Sequence, residues 1–465
     1  MMAGRIVLFA LFMPVLALWG CSLPIEQTGA GLVLPGHWRA PAGSSTLAVD
    51  AEWWRSFGSH ELSGLVVAAR ASSFDVVAAA ARVRQADALA RIAGAALLPA
   101  VDGAASAGRS KAAGDTGRTS YTVRLAASYE LDIWGAHRAI RQAAVDTLSA
   151  TAYARDAVVL TLTAGVADTY LQTLALRERA HIARQNRDTG ERILALVESQ
   201  YRAGAATALD LAQQKTLVAQ LRQVVALYDQ QARNSLTALA TLMGRAPQEF
   251  EVVGAALEAI DVPMADAGVP SNLLTRRPDV AQAERQLAAA DADVTVARAA
   301  MLPSITLTAS AGVGGDRLRG LFDRPIYDLA AGLAAPIFNA GRLAAGRDLA
   351  LARREELLAD YRKAIVDALG DVEAALNAID GLQYQQQAQR EALEQAREAV
   401  RLAESRYRAG ADTLLALLDA QRTLYAAQDQ TVRLRSARLQ AAVALYKALG
   451  GGWQVPDGSN ERAVP

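Results

Sequence analysis

Four histidines, His37, His60, His137 and His181, are the first residues to test for chemistry, and their spacing matches no metal-ligand pattern. No Ser/His/Asp set stands out, nor any phosphate-cradling loop. Gly312-Val313-Gly314-Gly315 reads as a loop after a strand. The residue types that carry most catalysis are thus present without the arrangement catalysis needs; neither a catalytic nor a metal site is expected. Two features point to chemistry of another kind. Cys21, the single cysteine, would be an unpaired thiol in an exported chain and so a candidate for acylation. Leu415 and Asp419 are four residues apart in an apolar run, which places an aliphatic side chain and a carboxylate on one helix face.

The setting of Cys21 supports the first idea. Arg5 is followed by an apolar run from Ile6 to Leu18, shorter than the ~20 residues of a membrane-spanning helix and suited to the apolar core of a secretory signal. Leu18-Trp19-Gly20-Cys21 resembles a bacterial lipobox, and Ser22, rather than Asp, follows it. A signal peptide over 1–20 and lipid on Cys21 are therefore expected, with no other cofactor. Lys+Arg and Asp+Glu balance at 48 each, which removes any electrostatic case for nucleic acid. The chain is 52% hydrophobic but only 5% aromatic, and its alanine-rich, Arg/Glu/Gln-laced stretches suit long helices packed side by side.

An internal repeat organises those helices. Asp75-Val76 and Leu98-Pro99 recur as Asp279-Val280 and Leu302-Pro303, an offset of 204 (279 − 75). Tyr201-Arg202-Ala203-Gly204-Ala205 recurs as Tyr407-Arg408-Ala409-Gly410-Ala411, an offset of 206 (407 − 201). Each half reads as a helix ending near Pro99 or Pro303, a β region, and two long helices hinged at the Tyr-Arg-Ala-Gly turn. Leu393, Ala396, Val400, Ala403 and Tyr407 form a seam at 3,4 spacing, mirrored by Gly190, Leu194, Val197 and Tyr201. Helices over about Ala139–Tyr201 and Gly346–Tyr407 would each reach roughly 90 Å at 1.5 Å per residue. The chain divides into the signal (1–20), an N-terminal arm (21–70), a first repeat (71–244), a linker (245–277), a second repeat (278–450) and a tail (451–465).

The β regions, about 100–131 and 304–337, alternate in polarity. Tyr121, Val123, Leu125, Ala127, Tyr129 and Leu131 share a face opposite Thr122, Arg124, Ser128 and Glu130. Ile305 to Val313 and Tyr327 to Ala335 repeat the pattern, with Val101–Ser110 as a weaker first strand. One face suits lipid and the other water, although alternation alone also fits a soluble sheet. Four strands cannot close a barrel, and an open edge in lipid leaves unpaired backbone groups. Two copies would give eight strands around a side-chain-filled lumen; three give twelve and room for water.

Taken together, these residues resemble the TolC-like outer-membrane factors, in particular the lipoprotein branch of drug-efflux and NodT type. The most specific element is Val269-Pro270-Ser271-Asn272-Leu273-Leu274-Thr275-Arg276-Arg277-Pro278-Asp279-Val280; Trp53-Trp54 and Phe57 add a tryptophan motif. The resemblance implies a mixed α and β homotrimer, lipid-anchored in the outer membrane, with a shared 12-stranded β-barrel, four strands per protomer. A long periplasmic α-helical barrel would hang below it. Its partners would be a periplasmic adaptor, an inner-membrane RND-type pump and outer-membrane lipid. The implied role is passive exit duct for small toxic compounds; the alternatives are a type I protein-secretion duct and, from another class, a structural coiled-coil envelope lipoprotein.

By the same resemblance the tunnel tip carries the two turns, with Tyr201, Arg202, Gly204, Arg408 and Gly410 facing the adaptor. Leu415 and Asp419 would form threefold constriction rings, apolar and acidic. Asp210 would accept a hydrogen bond from Tyr407 as a latch, while Asp412 stands where other members place an arginine.

Overall fold

Helix boundaries follow local signals. The structure, a computed structural model, describes residues 23–40, 49–111, 113, 117–254, 256–263 and 265–455. The signal segment, Cys21 and residues 456–465 of the tail lie outside them. The elements are α1 (His60–Ser72), α2 (Phe74–Ala95), β1 (Ala100–Ser110), β2 (Arg118–Glu130), α3 (Ala136–Arg202), α4 (Ala208–Leu242), α5 (Pro278–Ala299), β3 (Ser304–Gly315), β4 (Pro325–Ala334), α6 (Arg342–Arg408) and α7 (Leu414–Ala448). Ser59 caps α1, its hydroxyl accepting from the Leu62 amide. Pro278 opens α5, where its missing N–H costs nothing. The repeat is metrically strict: α2 and α5 have 22 residues each, α3 and α6 have 67, and α4 and α7 have 35.

The chain separates into two compact units. Among the described residues, one holds 23–32, 81–153 and 282–363; the other holds 33–80, 154–281 and 364–455. The first contains the sheet, an antiparallel meander in the order β1-β2-β3-β4. Its register turns the alternation into two faces. Val101, Ala127, Ala309 and Leu329 lie in one cross-strand row, and Gly103, Leu125, Ala311 and Tyr327 in another of the same parity. The opposite face carries the row Asp102, Ala126, Ser310 and Asp328, with Ser106 bonded to Thr122 at 2.7 Å and Ser310 donating to Asp328 at 3.2 Å. Among the described residues nothing covers the apolar face: Leu329 is 85% exposed and Tyr327 84%. All four helical connections leave one end of the sheet, and the two hairpin loops close the other.

One expectation needs correction. Gly312 to Gly315 continue β3 rather than forming a loop, because this stretch pairs with Tyr121–Arg124 on β2. Gly312 is needed there: a Cβ would lie 2.7 Å from Arg124 Cβ and closer still to the Val123 carbonyl oxygen.

At the helical end of the sheet Trp134 donates to the Pro303 carbonyl at 2.6 Å, and the Asp132 carboxylate accepts the His137 amide at 2.9 Å and the Arg138 amide at 3.1 Å, capping α3. The N-terminal arm begins here, the Leu23 amide donating to the Trp134 carbonyl, and continues with Thr28 bonded twice to Asp291, at 2.8 and 2.7 Å. Ala143, Ala289 and Ala292 pack beside it, side chains small enough for close helix approach.

In the second unit the signature residue Arg277 is a clamp. Its guanidinium holds Asp279 at 2.6 Å and Asp371 of α6 at 2.8 Å. Burial works against its charge, but the two carboxylates outweigh burial and raise its pKa. Trp53, Trp54 and Phe57 are buried, and Trp53 stacks on Tyr446 of α7 at 5.1 Å. A window of α3 is apolar enough to cross a bilayer by length and composition, but half of it is buried against the rest of the chain.

Gly312→Val should therefore break β2–β3 pairing at about 1–3 kcal/mol of overpacking, whereas Gly332→Val, whose Cβ would stand 4.0 Å from the nearest atom, should be tolerated. Thermal unfolding of the two purified variants checks this; equal midpoints would contradict the pairing.

Candidate functional site

The two Tyr-Arg-Ala-Gly turns lie in the second unit and are built alike. Gly204 has φ 76° and Gly410 φ 70°, a left-handed conformation that disfavours any side chain. Space is not the reason for glycine, since a Cβ at either would meet nothing within 4 Å. The Gly204 amide donates to the Tyr201 carbonyl at 3.0 Å and Ala205 to Gln200 at 2.8 Å; Gly410 and Ala411 repeat this with Tyr407 and Arg406. Both are Schellman closures, which satisfy the last carbonyls of α3 and α6. Thr207 and Thr413 then cap α4 and α7.

Beneath the turns the four helices share one apolar cluster: Ile193 and Val197 of α3, Leu217 and Leu221 of α4, and Leu414, Leu417 and Leu418 of α7, with Tyr407 of α6 against it. The first-repeat seam is therefore shifted from Leu194, which is half-buried, to Ile193, and Tyr201 is 44% exposed. Gly190 belongs to the seam because a Cβ would lie 2.8 Å from Leu221. Leu415, by contrast, is 60% exposed beside buried Leu414 and Leu417, and Asp419 is exposed one turn further on. Leucine and carboxylate thus share an open face of α7. Arg202 and Arg408 are also exposed, Arg408 holding Glu404 at 2.5 Å.

The latch differs from expectation. Tyr407 donates its hydroxyl to Gln200 Oε1 at 2.7 Å and not to Asp210. The Asp210 carboxylate is already used locally, accepting the Thr207 amide at 2.9 Å and the Thr207 hydroxyl at 2.7 Å in a capping box. A partner three residues away costs no loop closure, so it outcompetes one across the hairpins. Asp210 is still felt: burial first, and then its charge, raise the Tyr407 phenol pKa. Asp412, at the place where the resemblance puts an arginine in other members, accepts from Arg406 at 3.1 Å.

A second polar link was not foreseen. Arg179 of α3 donates to Asp429 of α7 at 2.7 Å and to the Tyr228 hydroxyl of α4 at 2.9 Å, and Tyr228 donates to Asp429 at 2.8 Å. The guanidinium also lies 4.2 Å from the Tyr228 ring centroid, and Arg433 adds a contact to Asp429 at 2.7 Å. Burial tends to raise the Asp429 pKa, but the bonds from Arg179 and Tyr228 and the two positive charges hold it below the usual carboxylate range.

The comparisons with known proteins agree with this architecture. The family model described as outer membrane efflux protein matches residues 65–245 and again 269–451, one match per repeat. The chain belongs to this family. It is similar to the pyoverdine export outer membrane protein OpmQ of Pseudomonas aeruginosa, 50% identical over 452 residues covering 94% of this chain and 95% of the relative. It is also similar to the toluene efflux pump outer membrane protein TtgC of Pseudomonas putida, 33% identical with 98% of both chains covered. Among solved structures, the open-state outer membrane channel MtrE of Neisseria gonorrhoeae superposes with a TM-score of 0.84 at 29% identity, covering 93% of this chain and 98% of that one. The molecule is thus an outer-membrane channel component of an efflux system, with the internally repeated mixed α and β fold expected of a TolC-like factor.

In this efflux channel subunit the turn contacts separate two roles. Tyr407→Phe should remove a link of about 1 kcal/mol and raise single-channel conductance, whereas Asp210→Ala should loosen the start of α4 and leave conductance near wild type; the reverse order would restore Asp210 as the latch. Because the Asp429 pKa is lowered, its contribution is present above the unfolded value of about 3.9 and lost as pH falls through the folded one. Asp429→Asn should cost about 1.5–3 kcal/mol at pH 7 and flatten the acid limb of thermal stability; a variant with an unchanged pH profile would show the link idle.

Proposed function

We propose that three copies of this chain form one passive exit duct, with a shared twelve-stranded barrel in the outer membrane and the hairpin turns at the periplasmic tip. The observation that carries this is the four-stranded sheet with an uncovered apolar face and two open edges, β1 and β4. Closing it needs strands from other copies, and twelve leave an aqueous lumen where eight would not. A periplasmic adaptor and an RND-type inner-membrane pump complete the path, the adaptor meeting Tyr201, Arg202, Gly204, Arg408 and Gly410. The duct performs no catalysis; the pump supplies the work.

Small compounds are its cargo. With half its residues identical to OpmQ across nearly the whole length, a secreted product of the pyoverdine kind stands first, and solvent-like or drug-like compounds follow from the TtgC likeness. Leu415 and Asp419 line the narrowest level, an apolar ring and an acidic ring four residues apart. Cys21 carries the lipid anchor. Leu23, the first described residue of the arm, is held to Trp134 at the helical end of the sheet, and this supports an anchor on that side.

Planar-bilayer recording of the purified full chain tests the duct. Wild type should show a small cation-preferring conductance, and Asp419→Ala should weaken the cation preference at least several-fold. No channel from a correctly folded trimer would defeat the proposal, and an intact mass lacking acyl groups in the same preparation would remove the anchor from it.

A further inference from the structure

The hairpin-loop end of the sheet is chemically unlike the helical end. Its two segments, 109–118 and 316–324, contain six basic residues against three acidic ones. Arg109, Arg118, Arg317, Arg319 and Arg324 are all exposed, and among the described residues none of the five enters an ion pair. At the helical end, by contrast, Arg138 is paired with Asp132 at 2.9 Å. A surplus of like charge at one end of the sheet is unfavourable unless something else neutralises it.

Two observations say what that is. Strand parity puts Arg109 on the apolar face, in the series Val101, Gly103, Ala105, Ala107, Arg109. An arginine on a lipid-facing row is tolerated only where its head reaches the bilayer surface, so Arg109 marks the edge of the apolar band. At the same end of the sheet, Leu318 and Phe322 of the β3–β4 loop are 68% and 79% exposed, interleaved with Arg317, Arg319 and Arg324. Guanidinium groups alternating with apolar side chains at a membrane surface suit an anionic amphiphile better than a soluble anion.

We propose that this end binds the phosphate groups of a phosphorylated lipid in the outer leaflet. Arg109 and the loop arginines contact the phosphates, and Phe322 and Leu318 enter the acyl boundary. The proposal rests on the sheet spanning the membrane; the leaflet follows because every helical connection leaves the opposite end.

The test is native mass spectrometry of the full-length protein in neutral detergent, titrated with diphosphoryl lipid A. Arg109→Gln/Arg317→Gln/Arg324→Gln should weaken apparent affinity at least tenfold with the oligomer intact. Arg342→Gln, an exposed arginine at the helical end, should bind as wild type does, and inorganic phosphate at equal concentration should not compete. Unchanged affinity in the triple variant, equal loss in Arg342→Gln, or full displacement by inorganic phosphate would each overturn the lipid site, the last by pointing to a soluble anion. Failure of the membrane reading would look different: wild-type protein staying soluble without detergent.

Discussion

Among the described residues, the backbone groups on the outer edges of β1 and β4 have no neighbouring strand, and in hydrocarbon each such group costs several kcal/mol. Most of what the sheet shows follows from that constraint. Its apolar rows are of little use unless lipid covers them, and lipid can cover them only if the edges are paired by other copies. The exposure of Tyr327 and Leu329 is then a requirement of the fold. The same logic places charged residues: they lie on the opposite face, as Asp102 and Asp328 do, or at the end of the apolar row, as Arg109 does.

The helical part obeys a different constraint. Two repeats with helices of equal length must pack against each other without being identical at the contacts. Their turns are the same because a left-handed glycine closure is a backbone solution, indifferent to what surrounds it. Their caps already differ: Asp210 completes a capping box, whereas its counterpart is Ala416, so α7 begins with Thr413 alone. The asymmetry leaves Leu415 and Asp419 on an open face in one repeat, with Leu209 and Gln213 at the matching places in the other.

Specific polar links tie elements that are distant in sequence. Arg277 joins the linker to α5 and α6, and Arg179 with Tyr228 joins α3 and α4 to Asp429 of α7. Each places a guanidinium in a partly dry setting, where losing a carboxylate leaves its charge less well compensated. Such links hold the helices in register while the alanine seams, which lack distinctive shape, allow many near-equivalent packings.

The residue pattern by itself determined the elements that are local in origin: the duplicated helix-strand-helix order, the strand alternation, the glycine turns and the start of α5 at Pro278. Each rests on contacts within a few residues, or on a period of 2 or 3.6 that the chain displays openly. Only the tertiary structure decided which distant groups meet. Tyr407 finds Gln200 because Asp210 is satisfied three residues away; Gly312 to Gly315 extend a strand because β2 is long enough to pair with them. Arg179, Tyr228 and Asp429 are separated by 49 and 201 residues and follow no shared spacing. The arginines of two separate loops gather at one end only because the meander brings those loops together. Partner choice across such distances is a competition settled by geometry, and a one-dimensional pattern carries no record of who loses it.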